Sequence, residues 1–178
     1  MAPVRSWRPG AGSYIALAIV AGIAALLIFS PDTPGQAYED LGNFHLEDPN
    51  QPHDPYNSAP PSSGPHLGVL ARWGVHDDVI PPELFVHNLE DGGIVFAYDC
   101  SEPCPDIVDG LTSLVEGLGD GVMLTAYPGI IDSDGVAHRA AAVAWTRVLY
   151  FDGLDAETLD EVDVFVDLYR GVDHHRGG

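Results

Sequence analysis

A chain of 178 residues has room for one domain with extras and is too short for two full domains. With 46% hydrophobic residues it can bury a core, which excludes a disordered chain. The formal net charge of −20, with no lysine at all, excludes charge-driven binding of nucleic acid or anionic lipid; it favours cationic ligands, metal ions or basic partners. The same acidity is also ordinary for a solvated surface in a protein from a GC-rich genome, to which arginine-only usage beside abundant Ala, Gly and Asp points.

The charge is unevenly placed. Residues 1–10 carry Arg5 and Arg8, and no acid occurs before residue 31, so 27 acids face five arginines in the remainder. The uncharged run from Ala11 to Ser30 is long enough, at ~1.5 Å per residue, to span roughly 30 Å, one bilayer core. Arginine before it and acids after it predict a single transmembrane anchor over 11–30, with residues 1–10 in the cytoplasm and the rest outside. The rival reading is a cleaved signal peptide, with G-Q-A at 35–37 as its cleavage site, although that site lies far from the apolar run. Either way the remainder is expected outside the cytoplasm, periplasmic or external.

Residues 31–65, rich in Pro, Asn, Asp and Ser and without a period, read as an irregular Pro-rich tether and loop. The organised domain is expected over 66–172. E-L-F-V-H-N-L (83–89) and G-I-V-F-A-Y-D (93–99) are β-prone runs around E-D-G-G, a hairpin signal. C-P-D-I-V-D-G-L-T-S-L-V-E-G-L-G follows as a helix, with Ile107, Val108, Leu111, Leu114, Val115 and Leu118 on one stripe and Gly119 as its stop. Residues 121–129 read as a buried strand ended by Pro-Gly, and 140–151 as a central strand or a long hairpin arm. The last helix runs over 155–171, capped by Asp155, with Leu159, Val162, Val166 and Tyr169 as its seam. The order β-β-α-β-β-α predicts an α+β domain: a small, mostly antiparallel sheet with two packed helices, followed by a solvated tail over 173–178.

Histidine is the first candidate for chemistry. Five of the eight, His45, His53, His66, His76 and His87, fall within one short window. Neutral imidazole is the commonest metal ligand, although histidines also serve to bond backbone carbonyls in loops. His87 and Glu90 stand three apart. In "PYNSAPPSSGPHLGV" the prolines pre-order the chain ahead of His66, so that this side chain is expected to be held in one place. Cys100 and Cys104 in C-S-E-P-C-P stand where a strand passes into a helix. Outside the cytoplasm they are expected to oxidise to a disulfide; a thiol pair for redox or copper work is the alternative, since a helix N-terminus favours a thiolate. The segment resembles the copper-binding stretch of the Sco-type oxidase assembly factors over six residues. No phosphate loop, G-x-S-x-G or nucleic-acid motif occurs, and no carboxylate pair among 27 acids stands out as catalytic.

The segments P-Y-N-S-A-P-P-S-S-G-P-H, A-R-W-G-V-H-D-D, V-H-N-L-E-D-G-G-I-V-F-A-Y-D and A-A-A-V-A-W-T-R-V-L-Y-F resemble, in this order over roughly residues 40–172, a bacterial family catalogued as domain of unknown function 3105. The resemblance implies an N-terminal membrane segment followed by an exported domain, and carries no activity with it. It places the family's recurrent polar residues on His53, His66, His87 and Glu90; His45 aligns only loosely. Asp91 stands where the family more often has histidine, and His76 where it has tyrosine.

These readings combine into a membrane-anchored extracytoplasmic domain that binds copper or zinc, with His66, His87 and Glu90 as ligands or close supports, helped by His53 or Asp91. No cofactor other than such a metal is implied, and the reading leans away from an enzyme. The alternatives are an accessory subunit docking on a larger membrane complex of the electron-transfer type, and a thiol redox or copper-transfer protein using Cys100 and Cys104. A shared metal requires ring nitrogens of His66 and His87 within roughly 5 Å, given bonds of ~2.0–2.1 Å.

Overall fold

The computed structural model describes residues 33–100 and 102–175, so the predicted anchor over 11–30 lies outside the described residues. Among the described residues no helix is long and apolar enough to cross a membrane. In chain order the elements are β1 (Gln36–Ala37), β2 (His45–Leu46), β3 (His66–Leu67), β4 (Gly74–Val75), α1 (Pro82–Glu90), β5 (Ile94–Tyr98), α2 (Pro105–Leu118), β6 (Val122–Ala126), β7 (Ala140–Ala144), β8 (Arg147–Phe151) and α3 (Ala156–Tyr169). One sheet has the order β1-β8-β7-β5-β6-β4; a second, small one pairs β2 with β3. In the large sheet β1–β8, β8–β7 and β7–β5 are antiparallel, whereas β5–β6 and β6–β4 are parallel. The domain is thus α+β with a mostly antiparallel sheet.

Side chains alternate along β5, and the two faces of the sheet go to two cores. Ile94 and Phe96 point to a core shared with Ile107 and Leu111 of α2 and with Val162 and Phe165 of α3. Val95 and Ala97 point to the opposite core, shared with Phe85, Val86 and Leu89 of α1. Among the described residues three helices rather than the expected two pack on the sheet, and they cover both faces.

The third helix is the one the sequence hid. Residues 83–89, expected as a strand, form most of α1. Pro82 occupies the start of the helix, where a fixed φ and a missing N–H do no harm. Phe85, Val86 and Leu89, fully buried, follow at helical spacing. Burial of each is worth about 1.5–3 kcal/mol, enough to override the β-propensity of a short segment. The Gly pair behind it is a helix exit and not a hairpin turn. Gly92 adopts a left-handed φ of 79° and donates to the Leu89 carbonyl, and Gly93 donates to that of Asn88. A side chain on Gly93 would lie inside the Trp73 ring.

The run 140–151 divides into β7 and β8, joined through Trp145 and Thr146 as a hairpin. In α3, Asp155 accepts from the Thr158 amide as its cap, but the buried seam is Val162, Phe165 and Val166, while Leu159 is exposed. Within 31–65, read as tether and loop, the structure places β1 against β8 and β2 against β3, and from Pro34 onward the chain clusters as one compact unit.

Candidate metal centre

β2 and β3 pair in parallel with His45 directly opposite His66, and the His66 amide donates to the Phe44 carbonyl at 3.0 Å. α1 packs on β3 and ends there, which brings His87 and Glu90, three apart on its last turn, to the same place. The centroids of the three imidazoles lie 4.9, 5.3 and 5.1 Å apart, a triangle. One ligand atom from each of His45, His66, His87 and Glu90 lies within 4.8 Å of every other, so this cluster can hold a metal ion.

The proline-rich segment fixes His66. Gly64, at a φ of 118° that disfavours other residues, turns its carbonyl to the His66 ring, which donates to it from Nδ1 at 2.8 Å. Tyr56 donates its hydroxyl to the next carbonyl, Pro65, at 2.7 Å; burial pushes its pKa well above the ordinary tyrosine range, so the proton stays in place. A Cβ on Gly68 would come within 3.3 Å of His45 Nδ1, so this glycine leaves room for the second ring.

Glu90 is the hub. Its Oε2 lies 3.0 Å from His66 Nε2, and 3.6 Å from both His45 Nε2 and His87 Nδ1. Asn43 donates to the other oxygen, Oε1. Glu90 and His66 have no exposed surface, His87 little, while the His45 side chain is 49% exposed, so the cluster opens to solvent at one edge.

Because the Gly64 carbonyl can only accept, the neutral His66 ring carries its proton on Nδ1 and presents a bare Nε2 lone pair to the carboxylate. Two acceptors then face each other at 3.0 Å unless something positive lies between them. A proton is disfavoured there. Burial holds His66 below the ordinary histidine range, despite opposing pulls from the Gly64 carbonyl and Glu90. His87 is lowered by burial and by His66, and its Nδ1 is buried with no hydrogen-bond partner. Burial pushes Glu90 up, the Asn43 hydrogen bond pulls it down, and the carboxyl is held below its usual value. A regular tetrahedron with bonds of ~2.0–2.1 Å has edges of about 3.4 Å. The three contacts to Oε2 bracket that edge; the widest spacing exceeds it, so ligation would draw the rings inward.

The structure brings His66, His87 and Glu90 together and leaves His53 and Asp91 outside that cluster. His53 bonds the Asp54 carbonyl at 2.8 Å and faces Glu83 at 3.5 Å. Asp91 caps α1 and lies 3.5 Å from His175 Nδ1. His76 bonds the Arg72 carbonyl. His45, two residues after Asn43, joins the cluster. The C-terminal His174 and His175, expected in a solvated tail, return to the centre: the His174 amide donates to the Glu90 carbonyl at 2.9 Å, and His175 Nε2 lies 3.6 Å from Glu90 Oε2.

The model of a family described as "Protein of unknown function (DUF3105)" matches residues 50–176. The chain belongs to the DUF3105 family. The match spans three residues of the DUF3105 cluster, His66, His87 and Glu90, and begins past His45. No curated protein and no solved structure matches the chain.

Cys100 and Cys104 are joined as a disulfide, with Cα atoms 6.0 Å apart, at the entry to α2. They follow the C-terminal end of β5, whereas Glu90 precedes its N-terminal end. The five residues of β5 separate the two sites by roughly 16 Å, so the sulfurs do not reach the cluster.

Proposed function

We propose that this DUF3105 domain binds one transition-metal ion, zinc or copper, through His45, His66, His87 and Glu90, and handles that ion outside the cytoplasm as part of a membrane-anchored protein. The observation that carries the reading is the convergence of one ligand atom from each of these four side chains within 4.8 Å of every other, with Glu90 and His66 fully buried. Imidazole and carboxylate donors without thiolate suit zinc and copper(II), and an acidic surround concentrates cations. The bound ion would act as a Lewis acid or as cargo, and the residues' part is to hold it with one edge open to solvent. The location rests on the apolar run Ala11–Ser30 behind Arg5 and Arg8.

The test is the metal content of the full-length protein, made without an affinity His-tag, loaded with zinc or copper and desalted. One equivalent is expected; less than about 0.1 equivalent sinks the reading.

A second reading, an accessory subunit docking on a larger membrane complex, is favoured by apolar side chains beside the β2–β3 pair. Phe44 is 61% exposed, Val69 59% and Leu70 45%. Purification from native membranes in mild detergent separates the two: stoichiometric larger partners support docking, and a lone metal-loaded monomer the first reading.

A further inference from the structure

We infer that the C-terminal segment after α3 is a strap that closes the metal centre, and that its His175 supplies one further, exchangeable ligand to the same ion. This rests on the metal-binding reading above and deepens it.

The strap is docked by contacts that the fold makes room for. The Gly171 amide donates to the Gly92 carbonyl at 2.7 Å, and the His174 amide to the Glu90 carbonyl at 2.9 Å, so the chain runs back across the end of α1. Gly92 permits this approach: a Cβ there would lie 2.7 Å from the Val172 nitrogen and 2.8 Å from its oxygen. The His174 ring stacks on Trp145, with centroids 5.8 Å apart and planes at 20°. Trp145 in turn meets the His66 ring edge-on at 6.3 Å. The residue after that anchor is therefore aimed at the cluster.

His175 Nε2 reaches Glu90 Oε2 at 3.6 Å, the distance that His45 and His87 keep from the same oxygen. Its other nitrogen, Nδ1, lies 2.8 Å from Asp173 Oδ1, with Asp91 Oδ1 at 3.5 Å. A carboxylate only accepts, so in the neutral ring the Nδ1 proton is committed to Asp173 and the Nε2 lone pair turns inward. This carboxylate–histidine arrangement orients and strengthens imidazole ligands in metal sites. The His175 side chain is 44% exposed, against none for His66. Two donors, His66 and Glu90, are buried and permanent; His45 and His175 stand at the solvent edge. A terminal segment docked by a few backbone and side-chain contacts, with no helix or ladder of its own, opens more readily than α1. Release of the strap is then the step through which the ion enters and leaves.

The experiment uses the full-length, untagged chain loaded with Zn²⁺ or Co²⁺, alongside His175→Ala and a chain ending at Val172. All three are expected to bind one equivalent. The two variants should release zinc to a chelator about 10–100-fold faster, and change the visible Co²⁺ spectrum, as a lost ligand requires. Added imidazole should slow release from His175→Ala, which a merely structural role would not permit. Unchanged release rates with unchanged Co²⁺ spectra overturn the strap while leaving the metal site standing. A wild-type chain that retains no ion overturns the metal reading itself, and the strap with it.

Discussion

Replacing Glu90 by Gln distinguishes a metal hub from a buried ion pair, because the two predict opposite signs for the ion-free protein. Gln keeps the shape and the acceptor that Asn43 bonds, and removes the charge. In an ion-binding centre, the ion-free wild type holds a carboxylate oxygen against the bare His66 Nε2 at 3.0 Å. The Gln amide N–H₂ would donate to that nitrogen, relieving an unsatisfied buried pair at about 1–3 kcal/mol. Ion-free Glu90→Gln should therefore melt a few degrees above ion-free wild type. Saturating zinc at 1,000 times Kd stabilises the wild type by about 4.1 kcal/mol, on the order of 10 °C for a domain of this size. Loss of the anionic ligand should weaken binding at least ~100-fold, about 2.7 kcal/mol, and remove most of that shift. If Glu90 instead only pairs with a protonated His66, breaking the buried pair costs about 3–5 kcal/mol and the variant melts lower. Differential scanning calorimetry with chelator and with zinc gives both numbers. A variant that melts lower without the ion, yet shows the full zinc shift, refutes the reasoning.

Three further outcomes are expected. Asn88 is fully buried and bonds the Ala71 amide and carbonyl at 2.9 and 3.0 Å, so Asn88→Ala leaves two core groups unpaired and should cost about 2–4 kcal/mol, read by urea unfolding. The double change Cys100→Ser, Cys104→Ser opens a small loop and should cost about 2 kcal/mol with zinc stoichiometry and affinity unchanged; a lost metal site would show that the two ends of β5 are coupled. Burial holds His66 and His87 below the ordinary histidine range, so the folded state binds fewer protons than the unfolded one as pH falls through 6.5. Their contribution is present at pH 7.5 and lost towards pH 5, by at most ~1.4 kcal/mol per pH unit for each ring. Compared with a His66→Gln, His87→Gln variant, which cancels the acidic surface, ion-free wild type should lose stability on acidification; parallel melting profiles would contradict this.

The sheet centre was legible because its residues obey one local rule each: β5, β6 and β7 are runs of buried apolar residues, and α2 and α3 carry a stripe with a cap. His66, His87 and Glu90 could be named as candidates because the Pro-Gly context and the i, i+3 spacing are local signals. α1 reads as a strand because residues 83–89 are too short for the 3.6 period to outweigh their β-prone Phe and Val; its helical signal is the Pro81–Pro82 start. Likeness and nearness in sequence point to His53 and Asp91 as well, but one faces Glu83 and the other caps a helix. His175 lies 85 residues beyond Glu90 in a charged tail, and no local pattern links them. Only the approach of Val172 to Gly92 does.

The misread helix also explains why the centre has its form. As a strand, residues 83–89 would send His87 and the residues after it to alternate faces, and Glu90 would fall in a turn, exposed to water. As a helix, they put His87 and Glu90 on one face at the C-terminal end, the end whose free carbonyls favour positive charge. Burying a lone carboxylate there would be strongly unfavourable, and His66, whose Nδ1 proton already goes to the Gly64 carbonyl, can donate to it from Nε2 only by becoming a cation in a buried place. Helix end, carboxylate and ring lone pairs thus all call for the same thing, a cation. Of the three glycines around them, Gly64 and Gly92 hold left-handed φ angles that other residues disfavour, and Gly68 keeps its face clear beside the His45 ring. A plain structural loop would need none of these coincidences.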